Sequence, residues 1–270
     1  MADNVKVIAL DDDYPTGDGN RVLCWLETPL NPTGESRDIQ YYADKVHKVG
    51  GKILVDATFA PPPLQYPFKW GADVIMHSGS KYFGGHSDLL CGVLVVKTLP
   101  EWTVLWNDRT FTGSMLGSME SWLLLRSLRT LHLRVPRQSE SATIIAQWLA
   151  KGGDGIPEGT ISRVWHSSIQ EKDPRGWLPT KQMEGGWNAT FSIQLETAEQ
   201  ATFLPHSLKY FVPATSLGGV ESLIEQRLVS DPGADPRVVR LSIGVENVED
   251  LKDDLRRGLQ VVANRPKGKL

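Results

Sequence analysis

Apolar positions in this chain gather into short runs separated by helical repeats, the order expected of an α/β protein. Val22 to Leu26, Lys52 to Asp56 (KILVD), Ala72 to Ser78 (ADVIMHS) and Gly92 to Lys97 read as short strands. Between the first two, Ser36 to Val49 reads as a helix. Ile39, Tyr42, Ala43 and Val46 fall on one of its faces, Ser36 can cap its start, and Gly50-Gly51 ends it. Strand, helix, strand predicts a right-handed parallel crossover.

Beyond Gly113 the period is helical again. Met119, Trp122, Leu123, Leu125, Arg126 and Leu128 belong to a long helical pattern that continues past Pro136 and ends near the Gly-rich stretch Lys151 to Gly159. The rest mixes strand candidates (Ile161 to Trp165, Thr190 to Leu195, Val238 to Ile243) with helical ones (Ala198 to Leu204, Val248 to Val262). That mixture predicts a smaller α+β unit with an antiparallel or mixed sheet covered by helices. The expected division is a larger domain over residues 1–140 and a smaller one over 141–270. No internal repeat or low-complexity tract is visible.

Composition narrows the function classes. With 270 residues and 40% hydrophobic content the chain can bury a substantial core, as one large domain or two smaller ones. The net charge of -3 is dispersed apart from Asp11 to Asp13 and a basic tail (Arg265, Lys267, Lys269), both read as solvated surface. Neither a nucleic-acid footprint nor a membrane-surface patch is evident. The two cysteines, Cys24 and Cys91, form no CxxC pair, and no secretory or spanning segment is seen, so the expected setting is reducing and cytoplasmic. The six histidines show no HxxxH spacing, which assigns no metal site, and no GxSxG elbow supports a hydrolase.

The chemistry concentrates between Val55 and Gly92. Pyridoxal phosphate demands a lysine amine for covalent attachment, an anion against its pyridine nitrogen, and hydroxyl or amide donors for its phosphate. Lys81, Asp56, Ser78 and Ser80 are candidates for those tasks. Asp56 and Ser78 lie at the carboxyl ends of two predicted strands, where ligands bind in open α/β sheets. The plain alternatives are a solvated lysine, a turn-capping aspartate and ordinary loop serines. Lys81 differs from a surface lysine in following a buried strand among small hydroxyl residues, where desolvation favours a neutral amine able to act as nucleophile and then as base.

Six blocks then occur in one order: ETPLNP (Glu27 to Pro32), VDATF (Val55 to Phe59), HSGSKY (His77 to Tyr82), GHSD (Gly85 to Asp88), SLGGVESL (Ser216 to Leu223) and RLSIGVE (Arg240 to Glu246). Together they resemble the Cys/Met-metabolism group of pyridoxal phosphate enzymes, which includes cystathionine γ-synthase, cystathionine lyases and methionine γ-lyase. The run from Leu125 to Ser139 is similar to a fungal cystathionine γ-synthase-like branch. The resemblance implies an aspartate aminotransferase-like fold (fold type I), with an incomplete large domain of mixed or parallel sheet and a smaller α+β C-terminal domain. It implies that Lys81 is the catalytic lysine, that Asp56 meets the pyridine nitrogen, and that Ser78 and Ser80 donate to the phosphate. It further implies that Asn31 lies near the ring hydroxyl and the substrate carboxylate, that Arg240 grips that carboxylate, and that Ser216 assists.

Three departures accompany the resemblance. Ala57 stands where the family often has asparagine, Ser80 where it often has threonine, and Arg227 where it often has proline, the last with no predicted catalytic effect. The chain begins shortly before ETPLNP, whereas family members carry a substantial part before it that supplies phosphate and ring contacts. The resemblance therefore implies two functional expectations. One is γ-replacement of the cystathionine γ-synthase type, with C–S elimination of the cystathionine or methionine lyase type as its alternative. The implied substrates are cysteine with an activated homoserine, or cystathionine. The other is a non-catalytic homologue or partner subunit. Family members are typically homotetramers, so self-association is expected.

Overall fold

Short, mostly apolar strands whose burial alternates build the first of two sheets. In a computed structural model, which describes residues 5–17 and 21–265, β1 (Leu23–Glu27), β2 (Lys52–Asp56), β3 (Val74–Ser78) and β4 (Gly92–Val96) pair in that order. Lys267 and Lys269 lie outside the described residues. β1, β2 and β3 run parallel and β4 returns antiparallel. The register sets Glu27 opposite Asp56 and Asp56 opposite Met76, so two carboxylates share one end of the sheet.

Ile53 and Val55 of β2 turn toward α1 (Ile39–His47), whose buried face is Ile39, Tyr42, Ala43 and Val46. The helix is capped by Asp38, not Ser36: the Asp38 carboxylate accepts from the Tyr41 amide at 3.2 Å. Ser36 is drawn into a long-range contact instead, its hydroxyl 2.8 Å from that of Ser167 and its amide donating to Gln170 at 2.7 Å. At the other end Gly51 donates to Val46 O, while Gly50 takes the left-handed conformation at φ +73°.

The helical region past β4 divides into three. α2 (Leu99–Thr112), absent from the sequence expectation, starts with a capping box in which Thr98 and Glu101 exchange hydrogen bonds. None of its residues is buried, so no core-facing stripe announces it. The single long pattern is two helices, α3 (Ser118–Leu128) and α4 (Leu131–Ala150), broken at Arg129–Thr130 while Pro136 is accommodated inside α4. The break is satisfied locally: Ser127 O accepts from the Thr130 amide at 3.1 Å and from the Arg134 guanidinium at 3.0 Å.

The second sheet contains β5 (Ile161–Trp165), β6 (Thr190–Leu195), β7 (Val212–Pro213), β8 (Leu223–Gln226) and β9 (Val238–Ser242), in the order β5-β6-β9-β8-β7. Only β7 and β8 pair in parallel, which makes it the mixed sheet expected. α4, α5 (Ala198–Phe203) and α6 (Val248–Ala263) contribute Val135, Ile145, Ala201, Leu251, Leu255 and Leu259 to a core with Phe191, Ile193 and Leu241. Phe59, Ala60, Leu64 and Tyr82 from the first half enter that same core. The loop after β2 and the lysine segment are thus sealed against the second sheet.

Asp254 pins α6 to the turn before β7. Its carboxylate, buried in the helix, accepts from the Lys209 amide at 2.9 Å and the Tyr210 amide at 2.8 Å and pairs with Arg257. Asp254→Ala orphans both amides and should cost about 2 kcal/mol of stability, read as a lowered urea midpoint with an unchanged slope.

Candidate active site

Parallel strands leave their carboxyl ends pointing the same way, and β2 and β3 deliver Asp56 and, two residues beyond its register partner Met76, Ser78. Thr58 ties them together. Its amide and hydroxyl both donate to Asp56 Oδ1, at 3.0 and 2.6 Å, and its hydroxyl oxygen accepts from the Ser78 amide at 2.9 Å. The second oxygen of Asp56 and the hydroxyl of Ser78 take no hydrogen-bond partner among the described residues. From Ser78 the chain turns at once, Lys81 N donating back to Ser78 O at 3.1 Å.

Lys81 is half-buried, and its Nζ lies 3.4 Å from Ser216 Oγ. Burial, and then the Arg240 charge, hold its amine below the ordinary lysine value. Ser80 faces elsewhere: its oxygen accepts from the Cys91 amide at 2.9 Å, so this hydroxyl braces the start of β4. Ser78 is the freer of the two serines.

Arg240, in the middle of the buried β9, is the hub of the other half. One terminal nitrogen donates to Asn31 Oδ1 at 3.1 Å. The other faces Ser216 O at 3.2 Å, Glu225 Oε2 at 3.1 Å and Thr215 O. Burial, and then the nearby Arg227, pull its guanidinium down to about 10. Lys81, Ser216, Arg240 and Asn31 are therefore joined in one network, although they span 209 positions from Asn31 to Arg240. Asp56, Ser78 and Thr58 form the neighbouring group on the first sheet.

Several contributors carry no single-residue signal in the sequence. Glu27, one register position across from Asp56, is pushed up to about 7 by burial and by that second carboxylate. Arg134 of α4 donates to Tyr82 O at 2.8 Å and fixes the turn after the lysine. Tyr82 and Thr190 share a hydroxyl contact at 2.8 Å, and Ser242 receives the Gly218 amide at 2.8 Å. Ser242 stood within the RLSIGVE block and Arg134 within the run to Ser139. Thr58 is the residue after the departure at Ala57. Only their long-range partners give them meaning.

A model of the family described as Cys/Met metabolism PLP-dependent enzyme matches residues 16–260. The chain belongs to this family. It is 34% identical over 263 residues to the cystathionine gamma-lyase of Saccharomyces cerevisiae, covering 91% of this chain and 65% of that protein. It is 36% identical over 249 residues to the cystathionine gamma-synthase of Mycobacterium bovis, covering 88% and 61%. A solved cystathionine gamma synthase from Xanthomonas oryzae pv. oryzae, in complex with aminoacrylate and cysteine, superposes with a TM-score of 0.78 at 34% identity, covering 89% of this chain and 63% of that one. The chain thus spans less than two thirds of the length of these relatives.

The donor set fits the family's cofactor. A carboxylate with one uncommitted oxygen and a free hydroxyl lie at adjacent strand ends, and an amine held below its ordinary basicity follows in the turn that leaves the second strand. Lys81, Asp56 and Ser78 are the residues that would hold it.

Glu27 makes the site sensitive to pH in a defined direction. Its folded value near 7 exceeds the ordinary 4.5, so the folded chain keeps a proton that the unfolded chain has released. The stability tied to that proton is complete below about 4.5 and is lost as pH rises through about 7. Glu27→Gln removes the ionisable group, and at pH 8 it should raise stability by about 2 kcal/mol while flattening the dependence between pH 5 and 8, measured by urea unfolding across that range.

Proposed function

We propose that this chain supports pyridoxal phosphate-dependent chemistry on sulfur amino acids, of the γ-replacement type carried out by cystathionine γ-synthases. The observation that carries the reading is Lys81: a half-buried amine of lowered basicity, 3.4 Å from the Ser216 hydroxyl and electrostatically coupled to Arg240. When bound, pyridoxal phosphate supplies an electron-poor ring that takes up the charge left behind by a departing α-proton.

The chain's own residues do the rest. Asp56 offers its uncommitted oxygen to the ring nitrogen, and Ser78 its hydroxyl to the phosphate, with Ser80 holding the loop that presents them. Arg240 and Asn31 orient the substrate α-carboxylate, assisted by Ser216. Lys81 Nζ accepts the α-proton and returns it, a task suited to an amine whose proton affinity is already reduced. In γ-replacement the sulfur of a thiol such as cysteine would bond to the γ carbon of an activated homoserine as the activating group leaves with the γ oxygen and the thiol gives up its proton; in the lyase alternative the C–S bond of cystathionine or a related thioether would break and the sulfur would leave as a thiol. The Xanthomonas relative, solved with cysteine, supports the synthase choice, while the yeast gamma-lyase keeps elimination as the alternative.

This reading takes residues 1–140 as the cofactor-binding domain and 141–270 as the smaller domain, and puts the chain in methionine biosynthesis in the cytoplasm, where its two free cysteines would stay reduced. It also includes self-association, as a homotetramer. The support is the exposed apolar side chains of α2 and α3: Trp102, Trp106, Phe111, Trp122 and Leu125. The same side chains support a second reading, a non-catalytic subunit that docks on a full-length relative.

Borohydride reduction of the purified chain incubated with pyridoxal phosphate separates the two. The catalytic reading expects one modified peptide, containing Lys81, found by mass spectrometry and lost in Lys81→Ala. Absence of specific labelling in a folded chain would sink it and favour the docking subunit.

A further inference from the structure

Behind Arg240 lies a charge imbalance that the family roles leave unused. Arg240 and Glu225 face each other across the β8–β9 ladder, and their side chains are each only 4% exposed. A second guanidinium, Arg227, reaches the same carboxylate from two residues further on; its side chain is 11% exposed. Both guanidiniums share one oxygen, Glu225 Oε2, and the bond to Arg227, at 2.6 Å, is shorter than the bond to Arg240, at 3.1 Å. Among the described residues no other carboxylate pairs with either guanidinium. Two buried cations thus face one buried anion.

The consequence follows from elementary electrostatics. If Glu225 paired with Arg240 alone, the ion pair would be neutral and would have little attraction left for a ligand carboxylate. Arg227 draws on the same oxygen, so the cluster retains one net positive charge, held in a buried setting that strengthens its pull on an incoming anion. The basicity of Arg240 reflects the arrangement: burial and Arg227 lower it by more than Glu225 restores. Glu225 Oε1 and Arg227 Nε are buried without hydrogen-bond partners, so the cluster is not closed upon itself.

We propose that Arg227 is a positioning residue for the carboxylate site, engaging Glu225 so that the charge of Arg240 is not cancelled and its guanidinium stays oriented for an amino-acid carboxylate. The inference rests on the reading of Arg240 as the carboxylate ligand. It gives a task to a position where the family often has proline.

The test uses two reduced, stable probes, N-phosphopyridoxyl-L-alanine and N-phosphopyridoxyl-ethylamine, which differ by the carboxylate alone, with binding followed by tryptophan fluorescence. The wild-type chain should prefer the alanine probe. Arg227→Gln should weaken that probe about tenfold and leave the ethylamine probe within about twofold, because the loss is confined to the carboxylate. Arg227→Lys, which keeps the charge, should stay within about threefold of wild type. The double variant Arg227→Gln/Glu225→Gln leaves Arg240 with its charge uncancelled and should recover the preference. Loss of both probes alike, no loss in Arg227→Gln, failure of Arg227→Lys to retain binding, or a folded double variant that stays weak would each overturn the proposal. If wild type binds both probes equally, the proposal falls while the cofactor reading survives; if it binds neither, the two fall together.

Discussion

The two halves of the candidate site meet through a backbone contact that only glycine permits. Gly218 sits at φ +78°, and a Cβ there would come within 2.8 Å of Tyr82 N and 3.1 Å of the Lys81 carbonyl carbon. The loop that begins at Ser216 is thereby pressed against the lysine segment. That approach is what puts the Ser216 hydroxyl beside Lys81 Nζ, and it is held from both sides. Ser242 takes the Gly218 amide, and Gln138 of α4 donates to Gly219 O at 2.7 Å and to Ile243 O at 3.1 Å. A larger residue at 218 would move the second sheet off the first and separate Arg240 from Lys81.

Much of the scaffold was legible because its period is simple. KILVD marked the limits of β2, as the short candidates Ile161 to Trp165 and Thr190 to Leu195 marked those of β5 and β6. α2 was not legible because it has no buried stripe; its marks were the Thr98–Glu101 box, Pro100 in the first turn and Gly113 past its end, short signals that many loops share. β8 was hidden for the opposite reason: all its residues are buried, so Leu223 to Gln226 shows no alternation, and two of the four are polar. The cap of α1 was misplaced by two residues because Ser36 and Asp38 are chemically equal candidates, and a tertiary contact to Ser167 decided between them. At the site, Lys81, Asp56 and Ser78 could be read from strand ends. Arg134, Glu225 and Thr58 could not, since their partners Tyr82, Arg240 and Ser78 are brought near only by folding.

Charge is segregated across the site in a way that suits a zwitterionic ligand. Glu27 and Asp56 stand together at the ends of β1 and β2, on the first sheet. Arg240, Arg227 and their shared Glu225 occupy the second sheet, and Lys81 lies between, its basicity lowered by the Arg240 charge. Thr58 donates twice to Asp56, while burial and then the Asp56 charge hold Glu27 up to about 7 against a backbone hydrogen bond at Asn31 and the Arg37 charge. Asn31 therefore touches both sides: its backbone serves Glu27 and its side-chain oxygen serves Arg240. A turn-forming Asn-Pro pair thus bridges the acidic and basic halves.

The apolar surface of α2 and α3 is connected to this arrangement by a short polar path. A helix that buries none of its residues gains little from packing, so α2 stands on its capping box and on its contact with β4. α3 ends at Ser127 and Leu128, and the carbonyl of Ser127 is held by the guanidinium of Arg134. That guanidinium also binds Tyr82 O, one residue beyond Lys81, and its approach requires Gly85, where a Cβ would collide with it at 2.1 Å. A single buried cation therefore links the end of an exposed helix to the turn that orients the lysine.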